Sequence, residues 1–376
     1  MDFSLSEEQQ LLKDSVDRFV RDNYELPQRN EVVASDGGFG AQHWKTMAEL
    51  GWLGAALPEE YGGIGGGPVE TMVIMEGFGR GLVVEPYLAS VVLGGNLLLT
   101  GASEATKGEF LPKLADGTLH LAFAFAEPQS RFDLFDVETT AKKDGDGFLI
   151  NGQKGVVIHG GSADRIIVSA RTAGSGRDEK GVSLFLVDAN ADGVSRRNYQ
   201  TIDGLRAAEV TFANVAVPAA ALIGDVDNAM PLIDDTIRRG IAAVSAEAVG
   251  IMDTMQSLTN DYLKTREQFG RPLGKFQALQ HRMVDILIAC EESRSAMIVA
   301  TLCLDESDAV KRDKAVTAAK VKVGQHGTFV GQNAIQLHGG MGMTDEMHIS
   351  HYFKRLAMID TVFGDHSHHL KRFMAL

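Results

Sequence analysis

Apolar residues recur along the first third of the chain at spacings of three and four, as in Leu11, Leu12, Val16 and Phe19, which predicts amphipathic helices. A serine with a glutamate three positions later, Ser4 and Glu7, has the spacing of a capping box and would open the first of them. From about residue 122 the period changes. Leu121 to Ala126, Phe148 to Ile150, Arg165 to Ala170, Val182 to Val187 and Glu209 to Phe212 are short apolar runs parted by clusters such as Asp144-Gly145-Asp146-Gly147, a pattern of strands and turns. From about residue 229 long helical patterns return, with Leu232, Ile237, Ile241, Val244, Ile251 and Met255 near one face. The expected fold class is α+β and multidomain: an amino-terminal α-helical domain over 1–121, a middle β domain of barrel or sandwich type over 122–226, and a carboxy-terminal α-helical bundle over 227–376.

Composition narrows the function classes. A chain of 376 residues with 44% hydrophobic and 23% charged residues can bury a large core, and nothing in it points to disorder. No run approaches the roughly 18 to 20 apolar residues of a spanning helix, and the opening Met1-Asp2-Phe3-Ser4 is acidic and polar, so the expected location is cytoplasmic. A net charge of -14 disfavours nucleic acid and membrane as partners, and an anionic ligand would need local basic residues. Cys290 and Cys303 have neither a disulfide framework nor zinc-site spacing and read as buried thiols. The glycines of Pro58 to Gly67 miss the GxGxxG spacing and follow no strand of a βαβ unit, which argues against a Rossmann fold.

Six segments, in order, carry a family resemblance. They are Pro58-Glu59-Glu60-Tyr61-Gly62-Gly63, Phe123-Ala124-Phe125-Ala126-Glu127-Pro128, Ile150-Asn151-Gly152-Gln153-Lys154, Val215-Ala216-Val217-Pro218, Arg266-Glu267-Gln268-Phe269-Gly270 and Gln336-Leu337-His338-Gly339-Gly340-Met341-Gly342. Along nearly its whole length the chain resembles the acyl-CoA dehydrogenase family. The resemblance implies helical, β and helical domains, as the periodicity does, and FAD held between subunits. It implies that Arg266 and Phe269 reach the FAD of a neighbouring subunit, a guanidinium suiting the pyrophosphate and a ring the adenine. Gln336, Gly339 and Gly340 match the family's adenine-end loop, where missing Cβ atoms let backbone amides approach phosphates, although the same glycines read equally as a helix cap. Phe123, Phe125 and Ala126, with Ile158 and His159, match the stretches that border the isoalloxazine ring; the two phenylalanines, on one face of a strand, also read as ordinary core.

The reaction implied is removal of the α proton of an acyl-CoA thioester by a carboxylate, with hydride transfer from the β carbon to flavin N5 and electrons passing on to an electron-transfer flavoprotein. The sequence departs from the family at the base itself. The usual late Tyr-Glu-Gly-Thr is replaced by Val362-Phe363-Gly364-Asp365, and phenylalanine takes no proton. Two acids are candidate substitutes. Glu247 is the one charged residue between Gly240 and Ile251, on a helical stripe of small residues that would admit a flat ligand; it reads either as the base or as a structural or ligand-orienting acid. Some relatives place a base on this helix, about two turns earlier, where Gly240 stands here. Asp365 reads as a second candidate base or as the cap of a helix over Ser367 to Met374.

Phe132 stands where relatives have a ligand-contacting serine, and Val156 replaces a flavin-side tryptophan. With Glu127-Pro128-Gln129-Ser130-Arg131 and the ending Phe363 to His369, these make the chain similar to the small subunit of heteromeric bacterial acyl-CoA dehydrogenases of the pimeloyl-CoA type. The resemblance therefore implies a homo- or hetero-oligomer, dimer or tetramer, with a homologous chain. Three readings stand side by side: a self-sufficient dehydrogenase using Glu247, a partner subunit that completes an FAD site while another chain supplies the carboxylate, and an oxygen-using flavoenzyme on the same fold. His348, His351, His366, His368 and His369 lack the paired-histidine helix motif, so no metal is expected, and Arg131 or Arg206 could meet a substrate carboxylate.

Overall fold

Helix α1 (Glu7–Asn23) begins at Ser6 in a computed structural model that describes residues 4–376. Ser6 Oγ accepts the Gln9 N–H at 3.2 Å while Gln9 Oε1 accepts the Ser6 N–H at 3.0 Å. The capping box is therefore Ser6 and Gln9 rather than the expected Ser4 and Glu7. Starting there puts Glu7 and Glu8 in the first turn, where the helix dipole favours negative charge. The next helices are α2 (Leu26–Ala34), α3 (Ala41–Glu49), α4 (Pro68–Gly81), a buried π-helix at Leu88–Gly95, α5 (Asn96–Gly101) and α6 (Glu104–Ala115).

Eight strands follow: β1 (Leu121–Ala124), β2 (Thr140–Asp144), β3 (Gly147–Ile158), β4 (Arg165–Arg171), β5 (Val182–Asp188), β6 (Val194–Gln200), β7 (Arg206–Pro218) and β8 (Leu222–Ile223). They join in the order β6-β7-β3-β2-β4-β5-β8, with β1 parallel to β4 from Leu121↔Arg165 to Ala124↔Val168. Ile150, Ile166, Val168, Phe185 and Val210 are fully buried in its core. The long β3 and β7 pair with register shifts after Ile150 and Lys154, irregularities of the bulge type that turn a long ribbon.

The carboxy-terminal elements are α7 (Met230–Thr265), a hairpin of β9 (Glu267–Gln268) and β10 (Arg271–Pro272), then α8 (Gln277–Leu302), α9 (Ala309–His338), α10 (His348–Thr361) and α11 (His366–Ala375). By contacts the chain forms two units. One contains residues up to Glu31, Pro68–Val83 and Ile241–Leu376; the other contains Val32–Gly67 and Val84–Gly240. The amino-terminal helices are thus shared out, α1 and α4 grouping with the carboxy-terminal helices, and α3, α5 and α6 with the sheet.

Within the helical unit α4 and α7 cross backbone to backbone. A Cβ on Gly79 would lie 2.0 Å from the Glu247 carbonyl oxygen, and one on Gly250 would lie 2.0 Å from that of Glu76. Arg294 from α8 braces the crossing, donating to Glu76 at 2.9 Å and to Asp253. Cys290 is buried, desolvation pushing its thiol up to about 12, while Cys303 is half-buried. Among the described residues no helix is long and apolar enough to cross a membrane.

Candidate active site

In the sheet-containing unit the two stretches expected to border a flavin are tied to each other. Ser90 of the π-helix fixes the start of β1, its hydroxyl accepting the Leu121 N–H at 3.0 Å and donating to the Leu121 carbonyl at 3.1 Å. Phe123 is buried, Phe125 and Ala126 are half-buried, and the two rings lie 5.0 Å apart. The next residue, Glu127, meets the fully buried Lys154 of β3 at 2.6 Å, and Lys154 also donates to Ser169 at 2.9 Å. Glu127 accepts the N–H groups of Glu138 at 2.8 Å and Thr139 at 3.0 Å, and Gly155 donates to the Ala126 carbonyl at 2.9 Å. Neither Glu127 nor Lys154 was singled out by sequence reasoning. The available signal was slight: Glu127 closes the apolar run Leu121 to Ala126, where a charge demands a partner, while Lys154 lies among Asn151, Gly152, Gln153 and Gly155, a polar setting that announces no burial.

Burial pushes the Glu127 carboxyl up, but the charge and hydrogen bond of Lys154, helped by Gln129 and the Glu138 N–H, outweigh it and hold the group at about 2. Burial likewise pulls Lys154 down to about 8 against the opposing pull of Glu127. Because Glu127 binds its proton less readily folded than unfolded, its stabilisation is complete above about 4.5 and is lost as pH falls toward 2. Urea midpoints measured between pH 5 and 2.5 are expected to fall more steeply for the wild type than for Glu127→Gln, and parallel slopes would contradict this account.

On the other stretch Val156 is 56% exposed with φ 50°, Ile158 is half-buried, and the buried His159, φ 53°, donates its N–H to the Arg206 carbonyl at 2.9 Å. Arg206 Nη2 donates to the carbonyls of Val33 at 3.2 Å and Ser35 at 3.1 Å, so this guanidinium pins the end of α2 instead of standing ready for a substrate carboxylate. Arg131 is exposed, its guanidinium carbon 5.9 Å from the Phe132 ring.

In the helical unit Arg266 is exposed at the end of α7, and Phe269 and Gly270, φ 56° and 78°, make the two-residue turn between β9 and β10. Such turns favour Asn-Gly; here the first position is a phenylalanine that is 89% exposed. Gln336, Gly339 and Gly340 are exposed at the end of α9, Gly339 ending the helix, and a Cβ on either glycine would meet nothing within 4 Å. Tyr262 of α7 joins the two places: its ring stacks on His338 at 4.4 Å and its hydroxyl donates to the His338 carbonyl at 3.4 Å. A cation, an accessible aromatic ring and an open, Cβ-free backbone near one another fit the pyrophosphate and adenine of FAD.

Both candidate acids are engaged in the ways their non-catalytic readings allowed. Glu247 does not face an open stripe. The small residues around it receive α4 at the Gly79 and Gly250 crossing, and both its carboxylate oxygens are taken by Arg355 of α10, Nε to Oε1 at 2.6 Å and Nη2 to Oε2 at 2.7 Å. The pair is nearly sealed, with side-chain exposures of 6% and 7%. Asp365 is the cap of α11, Oδ1 accepting the His368 N–H at 2.7 Å. That bond holds its carboxyl below the usual range. Phe363 is half-buried on the turn between α10 and α11, with φ 61°. Among the described residues no group of three or more His, Cys, Asp or Glu side chains is arranged to hold a metal ion.

Comparison with known proteins gives this arrangement its family. Residues 6–118 match the amino-terminal domain of acyl-CoA dehydrogenases, 122–215 the middle domain and 230–372 the carboxy-terminal domain. A probable acyl-CoA dehydrogenase, YngJ, of Bacillus subtilis is 32% identical over 92% of this chain and 91% of its own. The ChsE4-ChsE5 complex from Mycobacterium tuberculosis superimposes over 100% of this chain and 98% of the matched chain with a TM-score of 0.91 at 25% identity. A Tcur3481-Tcur3483 steroid ACAD does so over 99% and 98%, with a TM-score of 0.89 at 30% identity. The chain belongs to the acyl-CoA dehydrogenase family, oxidoreductases that use FAD.

Proposed function

We propose that this chain works in α,β-dehydrogenation of an acyl-CoA thioester as one half of a heteromeric assembly, in which a homologous partner chain supplies the carboxylate that takes the α proton. The observation that carries the reading is the engagement of both candidate acids. Glu247 is clasped on both oxygens by Arg355, Asp365 caps α11, and the family's base position holds Phe363. A carboxylate in a bidentate, buried ion pair would have to break charge-assisted bonds before accepting a proton.

Bound FAD supplies the hydride acceptor, flavin N5. Phe123, Phe125, Ala126, Ile158 and His159 would border the ring of an FAD, Gln336, Gly339 and Gly340 would meet an adenine end, and Arg266 and Phe269 would reach the FAD of a neighbouring subunit. The Glu127 and Lys154 pair keeps those bordering stretches in register, a positioning task that matters because a reacting geometry tolerates little displacement. Phe363 contributes an apolar wall that excludes water without moving a proton.

An assembly also suits the surface. The exposed Phe269 sits at a turn tip, and α8 leaves Val284, Leu287 and Ile288 exposed while burying Ile286, Cys290 and Met297, so apolar side chains stand on its open side as well as its packed one. Two of the similar structures are two-component assemblies by name, and another similar structure, 27% identical, is described as an electron-transferring flavoprotein. Electrons leave the reduced cofactor to a protein of that kind.

The test is the visible spectrum of the chain purified alone and loaded with FAD, under anaerobic addition of a panel of acyl-CoA thioesters. No bleaching is expected from the chain alone, and bleaching is expected once a homologous chain is co-purified with it. Bleaching by the chain alone, lost in Glu247→Gln with flavin retained, would make Glu247 the base and end the half-site reading.

A further inference from the structure

The turn between α10 and α11 puts Phe363 and Gly364 in left-handed backbone, φ 61° and 102°. For a phenylalanine this is a strained state that lasts only where the surroundings impose it. Two buried basic side chains with no part in the mechanism above surround the turn.

Lys320, from the middle of α9, is fully buried and donates from Nζ to the carbonyls of Ile359 at 2.5 Å and Asp360 at 2.9 Å. These oxygens lie in the last turn of α10, where carbonyls lack helical partners and the dipole favours a cation. Burial pulls Lys320 down to about 8, with Asp360 and Asp365 opposing, so it keeps its charge at neutral pH. His369, 1% exposed in the first turn of α11, places Nε2 2.8 Å from the Phe363 carbonyl oxygen. A carbonyl oxygen only accepts, so Nε2 carries the proton and one tautomer is selected. Burial holds the ring neutral, at about 3. Gly364 makes the room for this contact, since a Cβ there would lie 2.9 Å from His369 Nε2 and 2.8 Å from His368 Cδ2. Asp360 closes the turn, accepting the His366 N–H at 3.0 Å and facing His366 Nδ1 at 2.9 Å.

We propose that Lys320 and His369 are positioning residues: gripping the carbonyls of Ile359 and Asp360 ahead of the turn and of Phe363 within it, they force residues 363–364 into the left-handed turn and so set the direction in which the side chain at 363 leaves the chain. The catalytic consequence rests on the function proposed above, which alone places position 363 beside the acyl thioester. The clamp itself is tested without substrate or flavin. The urea midpoints of His369→Phe and His369→Gln are measured in three backgrounds, wild type, Phe363→Ala and Phe363→Gly. Glutamine keeps an N–H donor where Nε2 stands.

His369→Phe should lower the midpoint in Phe363→Gly by at least about twice as much as in the wild type or in Phe363→Ala. In those two backgrounds the freed turn relaxes its left-handed strain and recovers part of the lost contact, whereas glycine, for which left-handed backbone costs little, has no strain to recover. His369→Gln should stay near its parent throughout. Lys320→Met, run through the same backgrounds, should couple in the same way and serves if His369→Phe does not fold. Equal losses in all three backgrounds would reduce the two residues to core packing. A loss as large in Phe363→Ala as in Phe363→Gly would reduce the effect to a ring contact. Either result overturns the proposal. Intact coupling in a chain shown to have no part in acyl-CoA chemistry would sink the functional reading and leave the clamp standing.

Discussion

Phe363→Glu is expected to let acyl-CoA bleach the flavin of the chain purified alone at least about a hundredfold faster than in the wild type, the usual scale for gaining a positioned general base. The turn that carries residue 363 is held by backbone contacts from Lys320 and His369, so it does not depend on the phenylalanine ring. Glutamate meets the same left-handed backbone as phenylalanine and adds the carboxylate that the family resemblance places there. The measurement is anaerobic stopped-flow absorbance with the thioesters that the heteromer accepts. A folded, flavin-loaded Phe363→Glu protein that bleaches no faster than the wild type would remove position 363 from the reaction.

The second large effect is on stability. Glu247→Gln should lower unfolding free energy by about 3 to 5 kcal/mol, because it leaves the buried guanidinium of Arg355 without a counter-charge. Glu247→Met combined with Arg355→Met should recover most of that loss, since two apolar side chains leave no charge behind. Urea midpoints of the two proteins compared with wild type decide the matter. A Glu247→Gln protein as stable as the wild type, yet unable to reduce flavin within the heteromer, would return Glu247 to the role of base.

What could be read from the residues followed the physics that generates pattern. The helical, β and helical order was legible because α1 and α7 carry long apolar stripes and β4 and β5 are continuous apolar runs buried on both sides. Strands β2 and β6 were not anticipated, because their faces are polar: Lys142, Lys143 and Asp144 are exposed, and β6 is an edge strand of Ser195, Arg196, Arg197 and Asn198. Backbone pairing with β3 and β7 recruits such segments, and no periodicity announces it.

At the site, Glu247 stood out as a lone acid on its own helix, but its partner lies 108 residues away on α10. Small residues along a helix permit close approach by anything flat, and here the visitor is another helix. Asp365 was legible as a cap from its place before α11. The strain at Phe363 was not, since a left-handed φ is invisible in a residue type that so seldom adopts it.

The crossing of α4 and α7 has a consequence for how this chain can diverge. Most contacts between packed helices can be renegotiated by complementary changes in side-chain size, so a lineage can drift along them. At Gly79 and Gly250 the neighbouring atoms are backbone oxygens, which have no smaller alternative to offer. Any change that requires α7 to shift must therefore pivot about these two residues or break the helices apart. Selection for new substrates has freedom at the ends of α7 and almost none at this midpoint.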